Sequence, residues 1–298
     1  SYDALNRNTS RLYPDSQQQF RYDRSTNGKG LLTDVQDSSG SQSYTYSKRR
    51  QVTRQSITLN GLAPQTLSYG YGKGGRLSRI TYPSGRTATY SYRADGTLSQ
   101  LRTSYGGTTQ TVVKTTWNPT GQPTKLTYGN GLVEKRSYDL AGQLTQLNRN
   151  ALGKLDYRYD LAGNITQIGT QTYGYDALDR LTSAPSRSYS YDANGNRLQD
   201  SGQSYILAPD SNRLMQAVGR SYDYDAVGNP LSDGRYQYHY DGQNRLAEVK
   251  QSTTVIARYT YNALGQRVRK ESPATGTTHY LYSTEGQLLA ELDAVGNT

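Results

Sequence analysis

The sequence contains no cysteine, which excludes a disulfide framework and any thiol chemistry. No apolar run approaches the roughly 18 residues of a membrane-spanning helix, and the first residues, Ser1 to Asp3, lack the profile of a signal peptide. Phenylalanine and tryptophan occur once each, and only 33% of the residues are hydrophobic. We therefore expect no membrane span and no compact aliphatic core.

Acidic residues are fewer than basic ones, which leaves a formal net charge of +10. The 34 lysines and arginines are scattered, and the densest cluster is Lys48, Arg49 and Arg50 with Arg54. Scattered cations indicate a solvated basic surface rather than a groove for nucleic acid. Low hydrophobicity with high net charge favours disorder, but the 29 tyrosines recur with a regularity that can bury one face of a sheet.

The regularity is a repeated unit that begins with Tyr-Asp, as in "YDLAGQ" from residue 138 and "YDLAGN" from residue 159. We call the first residue of each unit the lead aromatic. The fourth position after it is glycine, asparagine or aspartate, the residues that tolerate a positive φ. These fourth positions are Asn6, Gly75, Gly96, Gly121, Gly142, Gly163, Asp179, Gly195, Gly228, Asn244, Gly265 and Gly286.

This pattern predicts a type I turn followed by a left-handed residue, which is a common three-residue hairpin connection with a bulge. The aspartate after the tyrosine is placed to cap backbone N–H groups of the turn, and Asn118 and Asn262 can replace it. Gly72, Arg93 and Ser283 occupy the same position as weaker substitutes. The units led by Tyr22 and Tyr46 break the pattern, with Thr26 and Arg50 at the fourth position.

Tyrosines alternate with polar residues before each turn, which is typical of a strand with one tyrosine face. A leucine or isoleucine stands at the sixth position after most lead aromatics. Leu198, Leu231 and Val268 stand instead at the seventh position after theirs, so we expect the register to vary.

Successive lead aromatics recur at two spacings, a longer one, as between Tyr138 and Tyr159, and a shorter one, as between Tyr159 and Tyr175. Two spacings are consistent with hairpins of two heights or with turns that alternate along one edge. A degenerate unit in the wider gap that follows Tyr191 has Ala208 in the lead position and Asn212 at the fourth position.

These features predict an all-β chain of successive antiparallel hairpins, which form a curved, spiralling sheet because strands twist with a fixed hand. Residues 71–298 form the regular part of one continuous array, and residues 1–70 form a degenerate part. The chain starts within a Tyr-Asp unit and stops at "LDAVGNT", from which we expect a fragment of a longer polypeptide.

The repeated form Tyr-Asp-x-x-Gly resembles the YD repeats of Rhs proteins, of the C component of ABC-type insecticidal toxins, of wall-associated proteins and of teneurins. The resemblance covers residues 71–298 well and residues 1–70 loosely. It implies a hollow β-shell that, in bacterial members, encloses a toxic C-terminal domain. It also implies an Asp-Pro motif for self-cleavage in a closing segment, but this sequence has no Asp-Pro dipeptide.

The function expected from this resemblance is a structural scaffold, a segment of an Rhs-type shell around a toxin or effector. Its partners would be the rest of its own polypeptide, meaning the closing segment and the cargo, together with components of a secretion apparatus. We expect a polymorphic-toxin protein of bacterial origin, secreted or at the cell surface, that binds no specific nucleic acid. The alternative is an extracellular adhesion module that binds glycans through exposed tyrosines or basic residues.

We expect no enzyme activity, no catalytic, cofactor-binding or metal-binding residues and no cofactor. His239 and His279 lie in alternating tyrosine strands and are interpreted as ordinary strand residues. Metalloprotease, nucleophile-elbow and phosphate-loop motifs are missing. The aspartates could supply carboxylate pairs for glycoside hydrolysis, but their fixed place in the turn favours capping. Which way the tyrosine rows point distinguishes scaffold from binding module.

Overall fold

Antiparallel β-hairpins make up nearly all of the computed structural model, which describes residues 1–297. Within that range the helical content is a single 3-10 turn at Lys73–Gly75, where Gly74 and Gly75 have positive φ. The prediction of an all-β chain is therefore confirmed. The chain divides into two units: unit 1 comprises residues 1–89 and 224–297, and unit 2 comprises residues 90–223.

Unit 1 is built from two groups of strands, each paired in chain order. The first group is β1 (Ser10–Leu12), β2 (Gln17–Tyr22), β3 (Leu32–Asp37), β4 (Gly40–Tyr46), β5 (Val52–Leu59), β6 (Gln65–Tyr71), β7 (Leu77–Thr81) and β8 (Thr87–Tyr92), of which residues 90–92 are counted with unit 2.

Unit 2 repeats the same arrangement with strands that shorten along the chain. Its strands are β9 (Leu98–Tyr105), β10 (Thr108–Trp117), β11 (Pro123–Tyr128), β12 (Val133–Tyr138), β13 (Leu144–Arg149), β14 (Gly153–Tyr159), β15 (Ile165–Ile168), β16 (Gln171–Thr172), β17 (Gly174–Tyr175), β18 (Leu181–Ala184), β19 (Arg187–Tyr191), β20 (Arg197–Asp200), β21 (Gln203–Leu207), β22 (Leu214–Ala217) and β23 (Arg220–Ser221).

The second group of unit 1 lengthens again. It consists of β24 (Asp223–Tyr224, whose first residue is counted with unit 2), β25 (Pro230–Ser232), β26 (Gln237–Tyr240), β27 (Leu246–Gln251), β28 (Thr254–Tyr261), β29 (Arg267–Ser272), β30 (Gly276–Tyr282) and β31 (Leu288–Leu292). Long strands accompany the longer spacing of lead aromatics, and short strands accompany the shorter spacing. The two spacings therefore correspond to hairpins of two heights.

The fourth position of every regular unit has the predicted left-handed backbone. Its φ lies between 58° at Asn6 and 100° at Gly228, and all of the glycine, asparagine and aspartate positions named above fall in that interval. The turn bonds match the predicted three-residue connection: Gly142 N donates to Asp139 O, and Asp139 N donates to Gln143 O. The conformational interpretation of the repeat is confirmed residue by residue.

In the regular units whose pairing is described, the register after the turn is constant, so the expectation that it varies among them is wrong. The lead aromatic pairs with the residue six places on, both where that residue is aliphatic, as in Tyr138 with Leu144, and where it is not, as in Tyr191 with Arg197. Leu198 and Val268 lie one residue beyond the paired position. Turn geometry sets the register, because the left-handed residue and its bulge fix how many residues the loop contains.

Three irregular units depart from their sequence interpretation. Arg50 keeps the left-handed conformation, with φ of 64°, although its residue type breaks the pattern. The turn after Tyr22 is longer, so that Tyr22 pairs with Leu32. In the degenerate unit Leu207, not Ala208, takes the lead position: it pairs with Leu214, and Ala208 N bonds Arg213 O in the way the capping residue does elsewhere.

Unit 1 contains a buried core in which aliphatic side chains take part, contrary to the expectation that none would form. Val35, Ile57 and Leu67 are at most 2% exposed, and Leu281 is fully buried. Among the described residues of unit 2, only Leu147 and Ala217 are buried hydrophobic residues. The least regular repeats thus supply much of the core, because they place aliphatic residues on alternating positions of β3, β5 and β6.

The division of the repeat array at residue 70 rests on regularity of sequence and stays a prediction. The structural units follow a different boundary, because residues 1–89 are in contact with residues 224–297.

Candidate functional site

The lead aromatics form the most regular set of polar contacts in the structure. In ten units the hydroxyl of the lead tyrosine donates a hydrogen bond to the backbone carbonyl of the residue that pairs with the preceding lead aromatic, one hairpin back. Tyr159 Oη, for example, lies 2.9 Å from Leu144 O. The same bond is made by Tyr22, Tyr46, Tyr71, Tyr138, Tyr175, Tyr191, Tyr240, Tyr261 and Tyr282, and by Trp117 through Nε1.

We call this contact the hydroxyl staple. It joins successive turns at either of the two spacings, because its acceptor is the residue that pairs with the preceding lead aromatic directly after the turn. Sequence reasoning missed it, although a signal was available: the chain has 29 tyrosines and one phenylalanine, so nearly every aromatic ring carries a hydroxyl. The ring packs between strands and the hydroxyl satisfies a carbonyl, which is the usual arrangement of a covered tyrosine.

The aspartates that follow the lead aromatics cap their own turns, as predicted. Asp160 Oδ1 accepts from the backbone N–H of Asn164 at 2.8 Å, and Asp176 Oδ1 accepts from Leu178 and Arg180. The backbone N–H of Asn164 and that of Arg180 are the main causes that hold the pKa of Asp160 and of Asp176, respectively, below the usual range. Asn118 and Asn262 cap in the same way through their side-chain carbonyls.

The residue after the fourth position forms a second connection between turns. Gln122 Nε2 donates to Gly142 O at 2.8 Å, and Asn164 Nδ2 donates both to Asp160 of its own turn and to Asp179 of the next turn. Where this residue is arginine, as at Arg180, the guanidinium binds Asp176 and lies over the ring of Tyr191 at 5.0 Å. The amide or guanidinium group at this position therefore binds within its own turn, to the next turn, or to both.

Two other carboxylates in unit 2 are each held by a pair of arginines. The Glu134 side chain is 4% exposed and binds Arg136 at 2.6 Å and Arg149 at 2.8 Å. Asp200 binds Arg187 and Arg197 and its side chain is 8% exposed. Burial acts to raise the pKa of Glu134, but hydrogen bonds from the two arginines outweigh it and the pKa is lowered. A carboxylate held in this way is poorly placed to act as a general acid.

Turns in the second group of unit 1 make contacts with its first group. Gly242 N donates to Asp15 Oδ2 at 2.8 Å, and Ala263 N donates to Asp37 Oδ2 at 2.5 Å. Both donors are the first loop residue after the capping position, whose N–H the turn itself does not use. Ala263 is 6% exposed and packs against Phe20, Val35 and Tyr44. Asp15, between β1 and β2, and Asp37, at the end of β3, thus accept hydrogen bonds from turns of a distant segment.

A surface cleft of about 490 Å³ carries basic residues without an acidic residue in its lining. Lys48, Arg49 and Lys73 line it together with Tyr69 and Tyr71. Burial is the main cause that raises the pKa of each tyrosine, and the charge of nearby Glu285 adds to it. The hydroxyl of Tyr69 already donates to Gln55 and that of Tyr71 to Val52 O, so the cleft offers cations and the partly exposed ring of Tyr71 rather than free hydroxyls.

The two histidines lie on separate strands, and His239 pairs directly with Glu248 of β27. His239 is exposed on β26, whereas His279 on β30 is 3% exposed. Among residues 1–297 no group of three or more His, Cys, Asp or Glu is arranged to hold a metal ion. In the same range no helix is long and apolar enough to cross a membrane.

Comparison with known proteins finds a similar family model and similar solved structures. Residues 169–290 match the family model described as Teneurin YD-shell. The crystal structure of TcdB2-TccC3-TEV matches with a TM-score of 0.77 at 17% identity, over 96% of this chain and 20% of that one. The Photorhabdus luminescens Tc holotoxin pore matches with a TM-score of 0.58 at 15% identity, over 99% and 23%. No curated protein matches the sequence significantly.

The chain spans 20% of the length of the first of these solved chains. At this level of identity the likeness establishes the fold. The resemblance to YD-repeat shells, drawn from the Tyr-Asp units alone, is confirmed both by the family match and by the structures.

Proposed function

We propose that the chain is a scaffold, a section of an Rhs-type wall that encloses a toxin or effector domain of its own polypeptide. The observation that carries this proposal is the hydroxyl staple. A wall must stay closed over a large area with few buried aliphatic residues, and unit 2 has very few. Repeated hydrogen bonds from covered tyrosines to backbone carbonyls provide cohesion that does not depend on a thick core.

The use of the polar residues supports a scaffold rather than an enzyme. The turn aspartates are bound to their own backbone, and Glu134 and Asp200 are bound to arginines. Of the tyrosines within the described residues, only Tyr2 and Tyr105 are exposed. Residues that the repeat uses internally leave little for a converging site. The proposed partners are therefore the rest of the polypeptide and its export machinery, and the proposed location is outside a bacterial cell.

The test uses the complete polypeptide that contains this chain, digested with a protease under native conditions. We expect the domain that the wall encloses to resist cleavage, and to become cleavable when Tyr159, Tyr175 and Tyr191 are all replaced by phenylalanine. Tyr2→Phe serves as the matched control, because this side chain is 65% exposed. Rapid cleavage of every flanking domain in the unaltered, folded polypeptide would reject enclosure.

A second candidate is adhesion to anionic glycans, and the specific observation in its favour is the cleft lined by Lys48, Arg49 and Lys73. Sulfated or uronic-acid sugars carry the negative charge that such a cleft attracts, and the partly exposed ring of Tyr71 offers a stacking surface. Retention on a heparin column that falls in Lys48→Gln/Lys73→Gln, but not in Lys154→Gln, would support it. An equal loss of retention per removed charge in Lys154→Gln would reduce it to the effect of net charge, and unchanged retention of the double variant would reject it.

A further inference from the structure

A small cavity of about 140 Å³ lies within unit 1. Residues of both segments line it: Ser38, Ser39, Leu59 and Asn60 from the first, and Thr260, Val268, Arg269 and His279 from the second. Ser38 and Asn60 are exposed, so the cavity opens to solvent on their side. The turn contacts and the hydroxyl staples described above do not involve the residues that line it.

Two nitrogen atoms at this cavity are buried and have no hydrogen-bond partner: Nδ1 of His279 and Nε of Arg269. The two residues are directly paired on β30 and β29, so their side chains are neighbours on one face. His279 is only 3% exposed. Leaving a polar group buried without a partner costs about 1–3 kcal/mol in proteins, which indicates that a ligand or water supplies the missing bonds.

The ionisable side chains that line the cavity are both basic, and no carboxylate is among them. The guanidinium of Arg269 binds Glu271 through Nη2 at 2.7 Å, which leaves Nε available. Burial lowers the pKa of His279, the charge of Arg269 lowers it further, and those of Glu271 and Asp293 oppose this. On the opposite wall, the Ser39 hydroxyl donates to Asp37 and the Asn60 side-chain amide donates to Ser38 O.

We propose that this cavity binds a small oxyanion, of the carboxylate or phosphate class, between Arg269 Nε and His279 Nδ1. An oxyanion accepts hydrogen bonds from both atoms. Its negative charge also interacts favourably with the guanidinium of Arg269, which binds Glu271 at the same time. A liquid water occupies about 30 Å³, so the cavity has room for an acetate or a phosphate ion in place of a few waters. Because both segments line the cavity, the anion joins strands that lie far apart in the sequence.

The experiment observes the two histidines directly in the full chain labelled with ¹⁵N. Two-dimensional NMR of the ring nitrogens gives separate signals for His279 and for the exposed His239, which is an internal control. We titrate sodium acetate, sodium phosphate and sodium sulfate at ionic strength held constant with sodium chloride. Saturable shifts confined to His279 are expected, and the anion that saturates at the lowest concentration identifies the class.

Arg269→Gln removes the guanidinium and is expected to weaken the apparent affinity about tenfold or more, since a charge-assisted bond contributes at least about 1.4 kcal/mol. Arg158→Gln, which removes an exposed guanidinium from β14 of unit 2, is the matched control and should leave the affinity unchanged. Because an anion stabilises the protonated imidazole, binding raises the pKa of His279 and weakens as the pH rises through it.

The titration of the unaltered chain is by itself able to overturn the proposal, so the test does not depend on whether a variant folds. Shifts that stay linear with every anion, or that are equal at His239 and His279, show a cavity that holds water only and overturn the proposal. Saturable shifts at Nε2 of His279 that leave its Nδ1 signal unshifted exclude Nδ1 as a ligand atom and overturn the proposal.

Discussion

The tyrosine hydroxyl is the smallest feature on which the repeat depends. Phenylalanine would pack the same ring, yet the lead positions from Tyr138 to Tyr191 are all tyrosine. The acceptor is a carbonyl at the start of a strand, which the ring covers from water. Losing the hydroxyl therefore leaves that carbonyl without its partner, and the cost exceeds that of a bond exposed to solvent.

For Tyr159→Phe we expect the free energy of unfolding to fall by about 1 kcal/mol, because the bond to Leu144 O is lost without a change in ring packing. Urea denaturation followed by far-UV circular dichroism measures it. Tyr2→Phe is the control, since its side chain is 65% exposed, and it should change the stability by less than about 0.5 kcal/mol. Equal stabilities for the two variants would contradict the staple.

The fourth position sets a conformational requirement that Gly195 isolates well. Its φ is 86°, and a Cβ added there would meet nothing within 4 Å, so any cost of substitution comes from the backbone. We expect Gly195→Asn to be tolerated within about 1 kcal/mol and Gly195→Val to cost at least about 1 kcal/mol more, because a β-branched residue is strained at positive φ.

Gly40 shows the opposite situation and serves as the comparison for the same measurement. Its Cβ would lie 1.9 Å from Thr58 O, so both asparagine and valine should destabilise the chain strongly there. If asparagine and valine were equivalent at Gly195, the turn interpretation of the repeat would be wrong.

At the scale of the single turn, the capping carboxylates make stability depend on pH. The pKa values of Asp3, Asp160, Asp176, Asp192 and Asp293 are all lowered in the folded chain, where turn N–H groups and neighbouring side chains donate to the carboxylates. A lowered folded pKa means that the stabilisation is present above the unfolded pKa of about 3.9 and is lost as the pH falls through the folded value.

We therefore expect the urea midpoint to be flat between pH 8 and pH 5 with respect to these groups and to fall steeply below about pH 4. Asp160→Asn should reduce the steepness, because an amide caps without titrating, as Asn118 does. Asp210→Asn is a suitable control on an exposed loop. An acid limb unchanged by Asp160→Asn would assign the pH dependence to other groups.

The turn was the part of this element that could be predicted from the sequence. Gly, Asn or Asp four residues after a tyrosine has a local cause, since few residue types tolerate that backbone, and the aspartate cap is equally local. The hydroxyl staple was not predicted because its acceptor is a carbonyl, which every residue carries and no sequence pattern marks. The register prediction was wrong for a related reason. It followed the aliphatic residues Leu198 and Val268, whereas the length of the loop decides which residue pairs with the lead aromatic.

The contact between Ala263 and Asp37 tests how turns of one segment dock on another. Asp37→Ala leaves the Ala263 N–H without its acceptor in a buried position, and it also removes the bonds to Ser39. We expect a loss of about 1–3 kcal/mol in the free energy of unfolding, with Asp37→Asn losing less because its amide oxygen still accepts. Asp210→Ala is the control, and a loss no greater than that of the control would show the contact to be energetically neutral.

At the scale of the molecule, the two units differ in what holds them together. Unit 1 has buried aliphatic residues from both of its segments, whereas the buried hydrophobic residues found in the described part of unit 2 are Leu147 and Ala217. The cavity beside His279 and the docked turns also belong to unit 1. None of this was predictable from the repeat, because it depends on which distant hairpins meet, and sequence regularity is lowest where the core is densest.

We expect amide hydrogens of strands β12 to β15 to exchange faster than those of β3 to β6, because regions with little buried apolar surface open at lower free energy. Hydrogen–deuterium exchange followed by mass spectrometry on the intact chain measures both sets together. Comparison is restricted to amides that donate within strand pairs in both units, which controls for secondary structure. Similar protection throughout would mean that the hydrogen-bonded turns stabilise unit 2 as well as a core does.

The staple has a consequence for how such a chain can change over evolutionary time. Its acceptor is defined relative to the preceding turn, and the far ends of the hairpins take no part in it. Tyr159 and Tyr175 bond carbonyls 15 and 10 residues earlier, yet the contact is the same. Insertions or deletions that change both strands of a hairpin equally therefore leave this contact intact, so the height of a hairpin can vary at one edge of the sheet without disturbing the tyrosine contacts at the other.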